Sequence, residues 1–392
     1  MFTLHLQGPK DVHWYSQNMP KPSLMILSFS PLVADARILK QISLFSSRYE
    51  ITTVGHGPKP AGATHHFQVP DDVRAWWWDG KPLRLRAYSW AYWHNEGVAW
   101  VRRNVPRGTV DAIIANDLEA AGVALWLAPR NGVHADLHEY APRQNDQYPK
   151  WNFWVRPFME WMVRTYVRKA ASVTTVGDHI AREYEAQFGL KNVGVVPNAA
   201  PYASSLRPTA VSRPLRLVHS GAARAERGLE NHIDAVAGIE GVTLDLYLTQ
   251  NTTDYFRELK LRASKTANVR VLDPVPYSEL VSTLNTYDVG LYSLPPVNFN
   301  TTWAVPNKIY DFIQARLALI IGPSPEMAAV LDAHGLGIVA SDFGVESLRA
   351  AIRSVTPGQV AMMKERSSKA AKPLSAEAQM AAWDTALSAL LG

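Results

Sequence analysis

The chain has no cysteine among its 392 residues. That excludes disulfides, thiolate metal sites and a cysteine nucleophile, and it is compatible with a reducing compartment. Long apolar runs are also missing; none approaches the roughly 18–20 residues of a membrane-spanning helix. Lys10, Asp11 and His13 stand before any apolar stretch, so the first residues do not read as a secretory leader. No internal repeat and no long low-complexity tract is present. The formal charge is only +5. What is plentiful is tryptophan, with 13 residues.

The length is too great for one simple core and predicts two domains. Residues 1–22 read as irregular. Leu24-Met25-Ile26-Leu27 predicts a buried strand, Ser28-Phe29-Ser30-Pro31 a tight turn, and Asp35 to Ser47 a helix with Ile38, Leu39, Ile42 and Phe45 on one face. With the next strand, Ile51 to Gly55, this gives a β-α-β opening and hence a parallel sheet. The turn lacks the glycines of a dinucleotide fingerprint, so a Rossmann-type cofactor is not expected. Further strands are predicted at 110–115, 172–176 and 193–196, and residues 132–140 read as a strand running into a loop. Asn116 is placed to cap the helix 118–128, and Asp178 the helix 180–188. Residues 201–214, with Pro201, Pro208, Pro214 and several serines, read as a linker. A second β-α series follows it. An amphipathic helix closes the chain, with Met380, Trp383, Leu387 and Leu390 on one side.

Two aromatic stretches stand out. Trp76, Trp77, Trp78, Trp90, Trp93 and Trp100 are interleaved with Arg74, Lys81, Arg84, Arg86, Arg102, Arg103 and Arg107. Three readings compete there: core packing with solvated arginines, an acceptor or membrane-facing surface, and stacking on single-stranded nucleic acid. Residues 150–169 carry Trp151, Trp154, Phe158, Trp161 and Met162 at helical spacing. They make either core or a basic amphipathic surface helix.

Three motifs carry chemistry. Pro306-Asn307-Lys308-Ile309-Tyr310-Asp311-Phe312 opens a helix whose apolar side is Ile309, Phe312, Ile313 and Leu317. Asn307, Lys308, Asp311 and Gln314 share the other side. A helix N-terminus attracts anions, and an acid beside it can hold hydroxyls; ordinary capping explains the same residues equally. The loop Gly221-Ala222-Ala223-Arg224-Ala225-Glu226-Arg227-Gly228 can bring backbone and a forked cation to phosphate oxygens, or it is a plain strand-helix turn with solvated arginines. His138 and Glu139 stand at the carboxyl end of a predicted strand, where ligands of open α/β sheets bind; a satisfied structural histidine is the alternative.

Taken together these motifs resemble family 4 of the retaining glycosyltransferases. Pro306 to Asp311, followed by Leu319-Ile320-Ile321 and Glu326, is similar to that family's donor signature, with Asp311 at the position of its ribose-binding glutamate. His138-Glu139-Tyr140 resembles its His-Glu loop. Val196-Pro197-Asn198, the phosphate loop ending in Arg227-Gly228, and the Ser30-Pro31 turn before Asp35-Ala36-Arg37 also match. The resemblance spans residues 24–355.

It implies a GT-B architecture: two Rossmann-like, doubly wound parallel-sheet domains facing a cleft, over 1–205 and 206–370, with residues 371–392 returning to the first domain. It implies transfer of a sugar, with retention, from a nucleotide diphosphate to an acceptor hydroxyl of a glycan or lipid-linked molecule, without a metal or other cofactor. His138, Arg227 and Lys308 would be catalytic. Gly221, Arg224, Arg227, Pro276, Asn307, Lys308 and Asp311 would bind the donor, and Ser30, Asp35, Arg37 and Glu139 would face the acceptor. No nucleic-acid partner is expected. The expected location is cytoplasmic, with reversible contact at the inner membrane face. In two places the pattern breaks. The arginine that usually follows the first glycine of the family's phosphate loop is Ala222 here, so that Arg224 takes its place or nothing does. The family's sugar-holding acid, eight positions before the ribose acid, is Trp303 here. A degenerate binding subunit, or a nucleotide-sugar epimerase, therefore stands as the alternative function.

Overall fold

The structure is a computed structural model that describes residues 21–249 and 252–392. The expectation for Lys10, Asp11 and His13, and for most of the irregular segment 1–22, lies outside the described residues.

Two parallel sheets organise the chain. The first has seven strands in the order β3-β2-β1-β4-β5-β6-β7: β1 Ser23–Pro31, β2 Glu50–His56, β3 His65–Val69, β4 Ala112–Asn116, β5 Gly132–Leu137, β6 Ser172–Thr175 and β7 Gly194–Val195. The second has six in the order β10-β9-β8-β11-β12-β13: β8 Leu215–Ala222, β9 Val242–Thr249, β10 Val269–Leu272, β11 Val289–Tyr292, β12 Ala318–Ile321 and β13 Gly337–Val339. Every pairing is parallel. In each sheet the order reverses beside the first strand, between β1 and β4 and between β8 and β11. Those reversals open a crevice at the strands' carboxyl ends, and both crevices border the same space.

Local chemistry sets the elements. β1 is buried along Leu24 to Phe29, as a strand covered on both faces must be. Asp35 starts helix α1 (Ala36–Phe45) by accepting from the backbone N–H of Arg37 at 3.0 Å and Ile38 at 3.3 Å. Helix α2 (Asn307–Gln314) lies so close to β11 that a Cβ on Gly290 would fall 2.4 Å from the Phe312 ring. Only glycine admits that approach.

Two capping expectations need correction. Asn116 ends β4 and caps nothing; the residue before the helix Leu118–Trp126 is Asp117, at φ 66°. Asp178 is the first helical residue, preceded by Gly177. The aromatic stretch 71–107 divides. Tyr92 and Val98 are buried, and Trp78, Trp93 and Trp100 pack on that core. Trp76, Trp77 and Trp90 are exposed. The segment 150–169 is mainly core: Phe158, Met159, Met162 and Val163 are buried, while Phe153 is exposed.

The C-terminal helix α3 (Ala381–Leu391) buries Trp383 and Leu387 in one cluster with Leu24, Ile26, Ile38, Ile42, Phe45 and Ile114. The last helix thus completes the core of the first sheet. Trp383→Ala is expected to cost about 3–5 kcal/mol, the scale of a large aromatic removed from a core. Urea denaturation measures it; a loss under about 1 kcal/mol would mean that the helix is an accessory.

Candidate active site

Between the two sheets lies a cavity of about 490 Å³, within the range of small-molecule sites. His138, Glu139, Gln144 and Asn198 line it from the first domain. Arg224, Arg227, Pro306, Asn307, Asn300 and Thr301 line it from the second.

On the second domain, β8 ends at the turn that presents both arginines. Gly221 leaves room there: a Cβ would lie 3.2 Å from Arg227 Nη1 and 3.3 Å from His219 Nε2 and would press on both. His219 is buried and its pKa is held well below the ordinary value, by desolvation first and then by His232. It therefore adds no charge beside Arg227. Gly228 turns the chain in the left-handed region at φ 57°. Across from this turn, Pro306 leads into α2, which points its N-terminal end at the cavity.

The polar side of α2 is not open, as its spacing had suggested. Asp311 is fully buried, accepting from Lys308 Nζ at 3.2 Å and Tyr277 Oη at 3.4 Å. Burial raises its pKa, and Lys308 offsets part of that rise. Gln314 accepts from Ala203 N at 3.0 Å and donates to Ala371 O at 2.5 Å. The connection between the domains crosses here and covers the stripe. Lys308 and Asp311 accordingly stand behind Asn307 rather than on the cavity wall. Pro276 is exposed at the start of the next helix and reaches the site only through its neighbour Tyr277.

On the first domain, Glu139 and His138 are where the sequence put them. His138 Nδ1 is 3.2 Å from Asp117 Oδ2, and its Nε2 is 3.3 Å from Asn116 Oδ1 and 3.6 Å from Asp136 Oδ2. Burial opposes its charge, but Asp117 and Asp136 outweigh burial and raise the pKa. An imidazolium facing a cavity with cations opposite suits an anion between them. Glu139 is pushed up by desolvation and by Asp117.

Three residues expected on the acceptor side stand away from the cavity wall. Arg37 is buried: Nε and Nη2 each donate to an Asp136 oxygen at 2.7 Å, and Nη1 donates to Val196 O at 2.7 Å. Ser30 Oγ donates to Asp35 Oδ2 at 2.6 Å, and Asp35 is spent on its helix cap. All three hold the first crossover in place and none lines the cavity. Residues that sequence reasoning missed replace them. Asn300 accepts from Tyr140 N at 2.9 Å and donates to Glu139 Oε2 at 3.4 Å, across the cleft. Asp117 has no signal beyond its place after a strand.

Trp303 turns out of the cavity. Its ring stacks on His179 of the first domain, centroids 3.3 Å apart and 8° between planes.

Residues 42–199 match the family model described as Glycosyl transferase 4-like domain. Solved structures match over nearly the whole chain. Sucrose-phosphate synthase from Thermosynechococcus elongatus is 11% identical with a TM-score of 0.69, over 94% of this chain and 99% of that one. Anabaena HepE, solved with UDP and glucose, is 14% identical with a TM-score of 0.68, over 94% and 99%. Trehalose 6-phosphate synthase from Burkholderia multivorans is 11% identical with a TM-score of 0.66, over 94% and 99%.

The chain has the GT-B fold. No curated protein matches it by sequence. In GT-B terms the 490 Å³ cavity is the interdomain cleft, and the resemblance read from the motifs extends to the two sheets and their order.

Because the folded protein favours the His138 imidazolium, its contribution to stability is complete below the ordinary value of 6.5 and is lost as the pH climbs through the higher folded value. The stability of His138→Gln should therefore fall less than that of wild type as the pH rises above 6.5. Parallel curves in urea denaturation would reject the charged form.

Proposed function

We propose that this protein is a retaining glycosyltransferase that moves a sugar from a nucleotide diphosphate to a hydroxyl of a glycan or lipid-linked acceptor. The observation that carries the reading is the cleft itself, with His138 and Glu139 on one wall and Arg224, Arg227 and Asn307 on the other. The match of residues 42–199 to a glycosyl transferase 4-like domain supports it, as does the UDP-glucose in the HepE structure.

In this reading Arg224, Arg227 and the start of α2 hold the diphosphate, and their positive charge stabilises it as it leaves. Lys308 and Asp311 serve the nucleotide from behind. Asp311 reaches the ribose hydroxyls once Tyr277 gives way. His138 touches the transferred sugar. The acceptor oxygen forms the new bond to the anomeric carbon as the bond to the phosphate breaks, and the acceptor proton passes to the departing phosphate oxygen. The cations do the work that a metal does in other transferases, so no metal is required.

Arg227→Ala should weaken binding of UDP or GDP by about 1.5–3 kcal/mol, the scale of a charged hydrogen bond, and EDTA should leave wild-type binding and turnover unchanged. Unchanged affinity in calorimetry, or an activity lost to EDTA and restored by Mg²⁺, would contradict the assignment.

A second reading, a subunit that binds without transferring, is favoured by Trp303, whose ring leaves the expected sugar contact empty of an acid. Hydrolysis across a panel of nucleotide sugars separates the two, since the binding subunit turns over none.

We also propose reversible contact with a membrane surface. Helix Gly80–Arg84 packs on the turn Trp151–Val155. Leu85 and Phe153 beside that contact are 81% and 60% exposed. Lys81, Arg84, Arg86 and Lys150 surround them and are exposed too. Each basic residue near an anionic surface contributes about 1 kcal/mol, and salt screens it. Sedimentation with anionic but not neutral vesicles, lost at high salt and reduced by Arg84→Glu with Arg86→Glu, is the expected result. No sedimentation with anionic vesicles would remove the membrane from the function.

A further inference from the structure

A second, smaller cavity of about 230 Å³ opens beside the cleft, on the first domain alone. It shares His138, Glu139 and Gln144 with the cleft and adds Asp117, Glu119, Tyr184 and Trp76. Trp76 also walls a shallower groove of about 410 Å³, lined by Pro31, His56, Asp71, Val73, Arg74 and Trp77. One tryptophan thus stands between an acidic chamber and an apolar trough. We propose that these two spaces form the acceptor site, and that it takes an uncharged glycan of at least two sugars. The terminal ring sits in the chamber and the next ring runs along Trp76 and Trp77. The inference rests on the transferase reading and adds the class of acceptor.

The chamber selects for hydroxyls. Its polar side chains are the carboxyls of Asp117, Glu119 and Glu139, the amide of Gln144, the imidazole of His138 and the Tyr184 hydroxyl, which already donates to Glu139 O and accepts from Ala141 N. Neither Glu119 nor Glu139 forms an ion pair with a described residue. A ring hydroxyl donates to a carboxylate without bringing charge. Burial first, then Asp117, pushes Glu119 up to about 7, so near neutral pH its carboxyl both donates and accepts, as the two-sided chemistry of a hydroxyl requires. A phosphate or uronate ring would instead face three acids, with His138 as the one lining group able to be cationic.

The trough selects for the flat C–H face of a sugar. Trp76 is 57% and Trp77 54% exposed. His56 stacks behind Trp76 with centroids 5.5 Å apart, which fixes the indole. Arg74, the basic residue of the trough, is engaged: its Nη2 donates to Glu96 Oε1 at 2.9 Å, and its guanidinium lies 5.0 Å from the Trp77 ring. It stiffens the wall more than it offers a phosphate site.

The position also meets the reaction's geometry. His138 and Glu139 belong to both cavities, so a ring in the chamber presents a hydroxyl to the cleft at the point where the proposed donor sugar would lie.

Saturation-transfer NMR on the full chain tests the proposal, with and without saturating UDP or GDP. The probes are maltose, lactose and cellobiose, the methyl monoglycosides of glucose and galactose, and methyl glucuronide. At least one disaccharide should bind, more tightly than the monoglycosides, and the glucuronide should not. Trp76→Ala should weaken the disaccharide about tenfold, or 1.4 kcal/mol, and Trp76→Phe should restore most of it. Absence of binding by every disaccharide, an unchanged Trp76→Ala, or equal binding of the glucuronide would overturn the proposal. UDP and GDP titrated into the same samples keep the two readings apart. A nucleotide that binds where no disaccharide does sinks this inference alone; failure of both nucleotides sinks the transferase reading.

Discussion

The fork of Arg37 on Asp136 is the contact on which most of the first domain depends. Both residues are buried, and a buried ion pair is stable only when its remaining hydrogen-bonding capacity is filled. Here it is. Asp136 also accepts from Gln41 Nε2 at 2.8 Å and Thr174 Oγ1 at 2.7 Å. Arg37 donates to Val196 O and lies 4.6 Å from the Trp383 ring. Five elements therefore meet at one charge pair: α1, β5, β6, the end of the domain and the final helix. The charged guanidinium holds the Asp136 carboxyl well below the usual range despite its burial. That fixed negative charge is in turn one of two that, against burial, raise the pKa of His138. The residue facing the cleft takes its protonation from the same pair that holds the sheet to its helices.

The two domains are joined by more than the linker. The segment after β11 reaches over and docks on the first domain. Phe299 is buried in that domain's core, against the Tyr140 ring at 4.8 Å and under Arg143 at 4.6 Å. Asn298 Nδ2 donates to Gln144 O at 3.0 Å, and Asp146 Oδ1 accepts from Phe299 N at 3.2 Å. Farther along, a Glu326 carboxylate oxygen accepts from His179 N and so caps a helix of the opposite domain. Apart from one aromatic anchor these are short polar contacts of the kind that transient interfaces use. Those of Asn298 and Phe299 lie on the segment that walls the cavity. Whatever lies in the cleft is thus held by the loop that holds the domains together.

Sequence reasoning succeeded where the signal is local. Apolar runs punctuated by turns gave the strands and their parallel order, because a strand covered on both faces has to read that way. Asp35 was recognisable near its helix start, and the Gly221 to Gly228 turn near its strand end, within a few residues. It failed where a partner is distant. Arg37 looked available because Asp136 lies 99 positions away. Asp311 looked open because the helix pattern reports which side is polar, and not what covers that side; the cover is the interdomain connection at Ala203 and the Tyr277 ring. Asn300 carried no mark at all, since its partner Tyr140 is 160 positions away. The exposed tryptophans show the same limit in reverse. Trp76 and Trp78 are two residues apart on either side of Trp77, yet one lines two cavities and the other packs against the core.

Trp303 joins these strands of the argument. At its position the resembling family keeps an acid against the donor sugar, and a tryptophan cannot supply that hydrogen bond. The structure gives the residue a different partner: it stacks flat on His179, whose pKa is lowered by burial first and then by Arg182. A neutral imidazole stacks on indole without the cost of burying a charge. The tryptophan therefore adds an apolar contact to the domain interface where the resembling family has an acid. Under the transferase reading proposed above, the donor sugar is read by the short polar row of Asn300, Thr301, Glu139 and His138, two residues from each domain. Recognition at that end then depends on the domains being docked, and the stack of Trp303 on His179 is one of the contacts that docks them.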